Sequence, residues 1–214
     1  MIKELLRTKL IWRLTGLTYP TAIIATTGQY VSKDNFLRSG NKEMLIFNSY
    51  FNSQSIAIEF GCGLGRNLFG IADSIKFGYG IDVNPLYIRI ANRLKKHYNI
   101  QNIEFLNYDG IHFPRLPKAD IILEKSVFER IPKSQVRIYI NELKDNYLSE
   151  DGIMILFFLM DRAKGGELTK RLGDEAYVFW NNSEINQLLE KFSLESIRII
   201  SAENADYYVC KSKK

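Results

Sequence analysis

From Ser55 onward, strand-like and helix-like segments alternate, and this alternation restricts the fold more than any other feature of the chain. SIAIE (55–59) is apolar and β-branched, RNLFGIADSI (66–75) has helical spacing, and FGYGID (77–82) is a second short strand ending on an acid. The stretch from Asn84 to Tyr98 opens with a capping residue and has Pro85 at the first helical position, where a missing N–H sacrifices no hydrogen bond. IEFLN, a loop with Asp109 and Gly110, the strand ADIILE, a helical pattern from Pro132 to Tyr147, and the buried strand IMILFFL introduced by Gly152 follow. Parallel strands need crossovers, and helical crossovers cover both faces of a sheet, so the expected fold is a doubly wound α/β domain. A helix from Ser183 to Phe192, then LESIRII, the turn-like AENA and DYYVCK, predicts a closing hairpin whose last strand runs antiparallel.

The composition, 46% hydrophobic and 25% charged over 214 residues, matches one globular domain with a modest extension. We divide it into a helical N-terminal extension or lid, 1–54, with an irregular middle (TYPTAIIATTGQYVSKDN), and an α/β domain, 55–214. The net charge of +5 tolerates acidic partners, but the cations are scattered and name no substrate. Cys62 and Cys210 are too few and too far apart for a disulfide scaffold, so a reducing cytoplasm is the expected location. With only His97 and His112 besides, we expect no metal site. The longest apolar run, Ile153 to Met160, has the length of a strand and predicts no membrane span. In MIKELLRTKLIWRLTG, Lys9 and Arg13 interrupt any signal-peptide core. We expect a retained helix docked on the protein's own body, with contact to a membrane surface as the rival reading.

The stretch IEFGCGLGRNL (58–68) joins the first strand to its helix. Gly61, Gly63 and Gly65 fall one residue short of the dinucleotide fingerprint because Arg66 occupies the sixth position. The context of that fingerprint is present, including Asp82 about twenty residues on, where a ribose hydroxyl is bound. Glu59 discriminates further. An ionised carboxylate close to a pyrophosphate repels it, whereas a cation is attracted. S-adenosylmethionine has the required ribose and adenine, and carries an ammonium and a sulfonium in place of phosphates. Because ligands of such folds bind at the carboxyl ends of strands, Glu59, Asp82, Asp109 and Glu124 are expected on one rim.

The ordered set EFGCGLGRN (59–67), GIDVN (80–84), YDG (108–110), ADIILEKSVFERIP (119–132) and the terminal hairpin resembles the class I S-adenosylmethionine-dependent methyltransferases over about residues 55–211. The resemblance implies a mostly parallel seven-stranded sheet with one antiparallel strand. It implies that Gly61 and Gly63 let the backbone approach the cofactor and that Glu59 faces its methionine end. Asp82 would hold the ribose, Val83 would pack on adenine, and Asp109, with Gly110 beside it, would read the adenine amino group. The backbone carbonyl of Glu124 would accept from the cofactor ammonium, and Arg38 and Gly40 resemble a segment that caps the cofactor. Each residue also has a plainer reading: Asp82 as a strand-end cap, Asp109 as a turn residue, Glu124 in a structural ion pair, His112 as a loop residue rather than a base, and Cys62 as a turn filler.

Methyl transfer to a hydroxyl needs help with a proton, and the loop after the fourth strand supplies candidates. Related small-molecule enzymes have a histidine where Arg130 stands. A guanidinium does not act as a base at neutral pH, which leaves Glu129, Tyr30 or a group of the substrate. Arg130 is then a holder of an anionic substrate, unless Glu129 and Arg130 merely begin a solvated helix. Glu124-Lys125-Ser126-Val127 is not the proline-rich run of DNA amino-methyltransferases, and no cysteine is placed for cytosine chemistry. A small-molecule acceptor is expected, with RNA or protein next. A nicotinamide-dependent oxidoreductase and a silent partner subunit are the remaining readings. The acceptor pocket would be roofed by Tyr19 to Arg38 and by Asp161 to Trp180, with Tyr177, Phe179 and Trp180 as aromatic walls or as packing core. The oligomeric state is left open.

Overall fold

A computed structural model describes residues 17–27, 31–166, 177–202 and 204–213. The chain divides into one compact unit ending at Pro117 and a second beginning at Lys118. In the first, helices α1 (Tyr19–Thr27) and α2 (Lys33–Met44) precede β1 (Ile56–Phe60), α3 (Arg66–Ile71), β2 (Phe77–Asp82), α4 (Pro85–His97) and β3 (Ile103–Asn107). The second contains β4 (Ala119–Glu124), α5 (Lys133–Glu142), β5 (Leu148–Leu159), α6 (Asn182–Lys191), β6 (Leu194–Ser201) and β7 (Ala205–Ser212). The seven strands lie in the order β3-β2-β1-β4-β5-β7-β6. β1, β2 and β3 pair in parallel, as do β4 and β5, while β7 runs antiparallel to both β5 and β6. This is the expected doubly wound sheet with its closing hairpin. Among the described residues no helix is long and apolar enough to cross a membrane.

The start of α4 follows its sequence signal. The Asn84 side chain accepts the Leu86 N–H at 3.0 Å, Pro85 follows, and Tyr87, Ile88, Ile90, Ala91 and Leu94 bury one face. Lys95, Lys96 and His97 in the last turn complement the helix dipole. At α6 the side chains of Asn181 and Glu184 form a reciprocal capping box.

Three segments depart from expectation. In the middle of the extension, expected to be irregular, Tyr19–Thr27 is instead the helix α1. Thr18 and Thr21 each accept the other's N–H on the hydroxyl, and Ala22 and Ile23 are completely buried. Burial of this β-branched helix overrides its modest propensity. Gly152 does not introduce β5, which begins at Leu148. The pairing with β4 shifts from Ala119↔Leu148 to Ile121↔Ile153, so the extra residues bulge out. A Cβ on Gly152 would meet the Ala119 carbonyl oxygen at 3.0 Å. Finally, the helix expected to reach Tyr147 ends as an α-helix at Glu142 and finishes in a π-helical turn, Leu143–Tyr147.

Helices α2 and α3 cross at backbone contact. A Cβ on Gly40 would collide with the Arg66 carbonyl, and one on Gly70 would lie 2.5 Å from the Gly40 carbonyl carbon. Arg66, the residue that breaks the glycine fingerprint, pairs with Glu43 of α2 at 2.6 Å. Gly40→Ala is therefore expected to lower stability by about 1–3 kcal/mol through overpacking. Thermal unfolding checks this, and an unchanged midpoint would contradict the close crossing.

Candidate active site

The turn after β1 carries Gly61, Gly63 and Gly65 at φ of 70°, 54° and 81°, a left-handed region that side chains disfavour. Four of its amides, those of Gly61, Cys62, Gly63 and Gly65, are engaged within the fold. Gly61 and Cys62 donate to the Ile81 carbonyl at 2.8 and 3.1 Å, Gly65 donates to the Cys62 carbonyl at 2.8 Å, and Gly63 donates to Asp82 Oδ2 at 2.9 Å. A phosphate cradle needs those N–H groups pointing at the ligand, and here they point inward. Helix α1 lies against the turn, because a Cβ on Gly63 would come within 3.3 Å of Thr26 Cγ2.

Two buried acids flank the turn. Glu59 Oε1 accepts from Asn67 Nδ2 at 2.7 Å, while its Oε2 is buried with no hydrogen-bond partner among the described residues. Loss of water raises the Glu59 carboxyl to about 7, against the lowering influence of Asn67 and Arg66. Asp82 Oδ1 accepts the Asn84 N–H at 2.8 Å. Burial raises Asp82 to about 6, although the amides of Asn84, Gly63 and Val83 favour its ionised form. A carboxylate has about four acceptor positions, so Asp82 keeps capacity beyond the backbone amides that it accepts. Val83 beside it is half-buried. Cys62 is a buried filler whose thiol is held far up by desolvation and then by Asp82 and Glu59.

Asp109 has a local job. Its Oδ1 accepts the N–H groups of Ile111 and His112, both at 2.7 Å, and its Oδ2 lies 2.6 Å from His112 Nδ1. These contacts, the His112 amide foremost, hold the carboxyl well below the usual range. Asp109 thus organises its own exposed loop, and Gly110 supplies the turn at φ 86°. Around it Phe60 stacks on Phe113 at 5.8 Å, with Tyr108 at 5.1 Å from Phe113. Arg38 is exposed on α2, and Gly40 serves the helix crossing. Tyr30 lies outside the described residues.

In the second unit the Glu124 side chain brackets the loop after β4. Oε1 accepts from Val127 N at 2.8 Å and Phe128 N at 3.1 Å, and Oε2 accepts from Phe157 N at 3.2 Å. Among the described residues it forms no ion pair of the kind considered from sequence; burial raises it to about 8. Ser126 beside it adopts φ 62°. The solvated-helix reading of Glu129 and Arg130 fails, since both precede α5 in a loop and Glu129 is buried. The Glu129 carbonyl accepts from Val178 N at 2.8 Å, and its carboxylate lies 3.3 Å from Arg130 Nε. The Arg130 guanidinium sits 4.0 Å from the centre of the Tyr177 ring, and its Nη2 donates to the Tyr177 hydroxyl at 3.2 Å. Arg130 is therefore a strut whose charge is met by Glu129 and an aromatic face. Tyr177 and Phe179 pack with Leu159 and Ala163, and Trp180 is 1% exposed, so these aromatics are core. Sequence reasoning passed over Lys125, which is half-buried and lowered to about 8 by desolvation, with Glu129 opposing. Its one signal was its place immediately after a strand-end acid.

The family model described as a methyltransferase domain matches residues 51–158. The chain belongs to the class I S-adenosylmethionine-dependent methyltransferases. Solved structures with the same fold include DhpI with SAH, at 12% identity and a TM-score of 0.70, covering 96% of this chain and 95% of that one. The magnesium protoporphyrin IX methyltransferase ChlM from Synechocystis PCC 6803 with SAM gives 15% identity and 0.69, covering 96% and 97%. PH0226 from Pyrococcus horikoshii OT3 gives 18% and 0.68, covering 82% and 91%. A search of curated protein sequences finds no match.

The buried acids give the methyltransferase a pH signature. A carboxyl raised on folding adds stability that is full below its unfolded pKa and lost as pH rises through its folded value. The windows run from 4.5 to about 7 for Glu59, 3.8 to about 6 for Asp82 and 4.5 to about 8 for Glu124. The ligand-free protein is therefore expected to melt at progressively lower temperature between pH 5 and 8. A midpoint that climbs across that range in thermal scans would contradict the burial of these charges.

Proposed function

We propose that this methyltransferase moves the methyl group of S-adenosylmethionine to an oxygen or nitrogen atom of a small-molecule acceptor. The observation that carries the cofactor half of this reading is the pair of buried acids on a glycine turn whose amides are engaged internally. The unpartnered Oε2 of Glu59 fits a cation, and the remaining acceptor positions of Asp82 fit ribose hydroxyls. Gly61 and Gly63 admit a close backbone approach and Val83 offers an apolar surface for adenine. Asp109 and Gly110 shape the loop beside them. The same arrangement speaks against a pyrophosphate and hence against the nicotinamide alternative.

The bound cofactor supplies a methyl group activated by its sulfonium. The residues of the chain bind, orient and exclude water, and alignment of this kind is worth about 7–11 kcal/mol in favourable systems. In the second unit the Glu124 carbonyl is assigned to the cofactor ammonium on the resemblance alone, while the Glu124 side chain fixes the loop. Glu129, raised by burial and held by Arg130, and Lys125 are the groups of that loop suited to accept a proton from an acceptor. Tyr30 remains a candidate from sequence.

The small-molecule half is supported by the loop after β4, since Glu124-Lys125-Ser126-Val127 is not the proline-rich run of DNA amino-methyltransferases. Of the structural neighbours, the magnesium protoporphyrin IX methyltransferase is by its name an enzyme of a small molecule. The test is incubation with radiolabelled S-adenosylmethionine and fractionated cell extract. Label in the low-molecular-mass fraction is expected. Label in RNA or protein overturns the acceptor class, and no transfer by cofactor-loaded protein favours a silent partner subunit.

A further inference from the structure

A pocket of about 250 Å³ opens in the N-terminal unit, apart from every residue assigned to the cofactor. Its lining combines three cations with four aliphatic side chains and the ring of Tyr19. Lys33, Arg89 and Arg93 supply charge, Leu17, Leu86, Ile90 and Leu94 supply hydrocarbon, and among the described residues no acid lines it. The cations follow from the sequence of α4, which carries Arg89, Arg93, Lys95 and Lys96 and no acid. Arg89, Arg93 and Lys96, spaced by four and three residues, share one exposed face. Lys33 is brought to them because the Tyr98 hydroxyl donates to the Lys33 carbonyl at 2.6 Å, fixing the start of α2 beside the end of α4. The nearest acid in sequence, Asp34, is exposed and does not line the pocket.

Converging cations without an acid repel one another until an anion joins them. The apolar half states what else that anion carries. A nucleic acid would ask for a longer basic groove with a series of stacking surfaces, whereas the described lining offers the single ring of Tyr19, with Lys33 Nζ 5.9 Å from its centre, and free phosphate has no use for the aliphatic side chains. Leu17, 69% exposed at the rim, is placed to enter an apolar phase. The sequence leading to it sets Lys3, Arg7, Lys9 and Arg13 against Glu4 alone.

We infer that this pocket docks the headgroup of an anionic phospholipid and so seats the methyltransferase on a negatively charged bilayer surface. The phosphate lies among Lys33, Arg89 and Arg93, and the leucines take the adjoining hydrocarbon. This inference does not depend on the identity of the methyl acceptor.

The test is co-sedimentation of the full chain with vesicles of phosphatidylcholine containing about a third phosphatidylglycerol, and with phosphatidylcholine alone, at about 0.15 M salt. Binding to the anionic vesicles only is expected. Arg89→Glu with Arg93→Glu should lose about tenfold or more, since each surface cation contributes about a factor of five. The milder pair Arg89→Gln with Arg93→Gln should lose less. Lys76→Glu with Lys191→Glu makes the same charge change at exposed positions elsewhere and should lose less than about threefold. Titration with S-adenosylmethionine should be unchanged in all three variants, which also shows that they fold. Equal loss in both charge-reversed pairs, equal binding to neutral vesicles, or no sedimentation would each overturn the inference. So would arginine-dependent binding of a single-stranded RNA oligonucleotide without vesicle binding.

Discussion

Asp82→Ala is expected to lower affinity for S-adenosylmethionine by about a hundredfold or more while the protein remains folded. The carboxylate does two things at once. It presents acceptor positions to the ribose hydroxyls, and it holds the amides of Gly63 and Asn84 at 2.9 and 2.8 Å, which keeps the glycine turn in its binding shape. Hydrogen bonds to a charged group are worth about 1.5–3 kcal/mol each, so losing two to the ligand already reaches that factor. Folding suffers less than on loss of Glu124, because two backbone N–H groups rather than three lose their acceptor. Calorimetric titration checks the prediction, and undiminished affinity would contradict the role of Asp82.

Glu124→Ala is expected to be the most damaging of the substitutions for stability. Three backbone N–H groups, of Val127, Phe128 and Phe157, lose their acceptor together. Each buried donor left unsatisfied costs about 1–3 kcal/mol, so the loss is about 3 kcal/mol or more. For a chain of this size that is a fall of about 10 °C in the melting midpoint. The loop that carries Lys125, Glu129 and Arg130 would lose its bracket, and turnover should fall with stability. A midpoint within a degree or two of the wild type would show that the loop is held by other means.

Much of the fold was legible because its signals are local. The short apolar runs of β1, β2 and β4 each end near a glycine or an acid, and Asn84-Pro85 announces α4. What escaped depends on distant partners. The helicity of α1 rests on the burial of Ala22 and Ile23, which no spacing in TYPTAIIATT reveals. The early start of β5 rests on pairing with Ala119, which recruits the polar residues before Gly152. The site divides the same way. The places of Glu59 and Asp82 beside the glycine turn were legible because strand ends and glycines fix where their carboxylates stand. Asp109-Gly110 fits a ligand contact and a turn equally well, and only the bonds to Ile111 and His112 show the second job. Gly40 suggested a cofactor cap, but its lack of a side chain answers the backbone of α3. Lys125 gave little signal because its lowered pKa comes from burial that no local pattern encodes.

The central claim is that the acid-flanked glycine turn takes a nucleoside with a cationic tail. Calorimetric titration of the wild type and Glu59→Gln at neutral pH, with S-adenosylmethionine and separately with NAD, tests it most directly. Saturable binding of S-adenosylmethionine is expected, weakened about tenfold by the variant because one ionic contact is worth about 1.4 kcal/mol or more, with no binding of NAD. Tight binding of NAD with indifference to S-adenosylmethionine would contradict it.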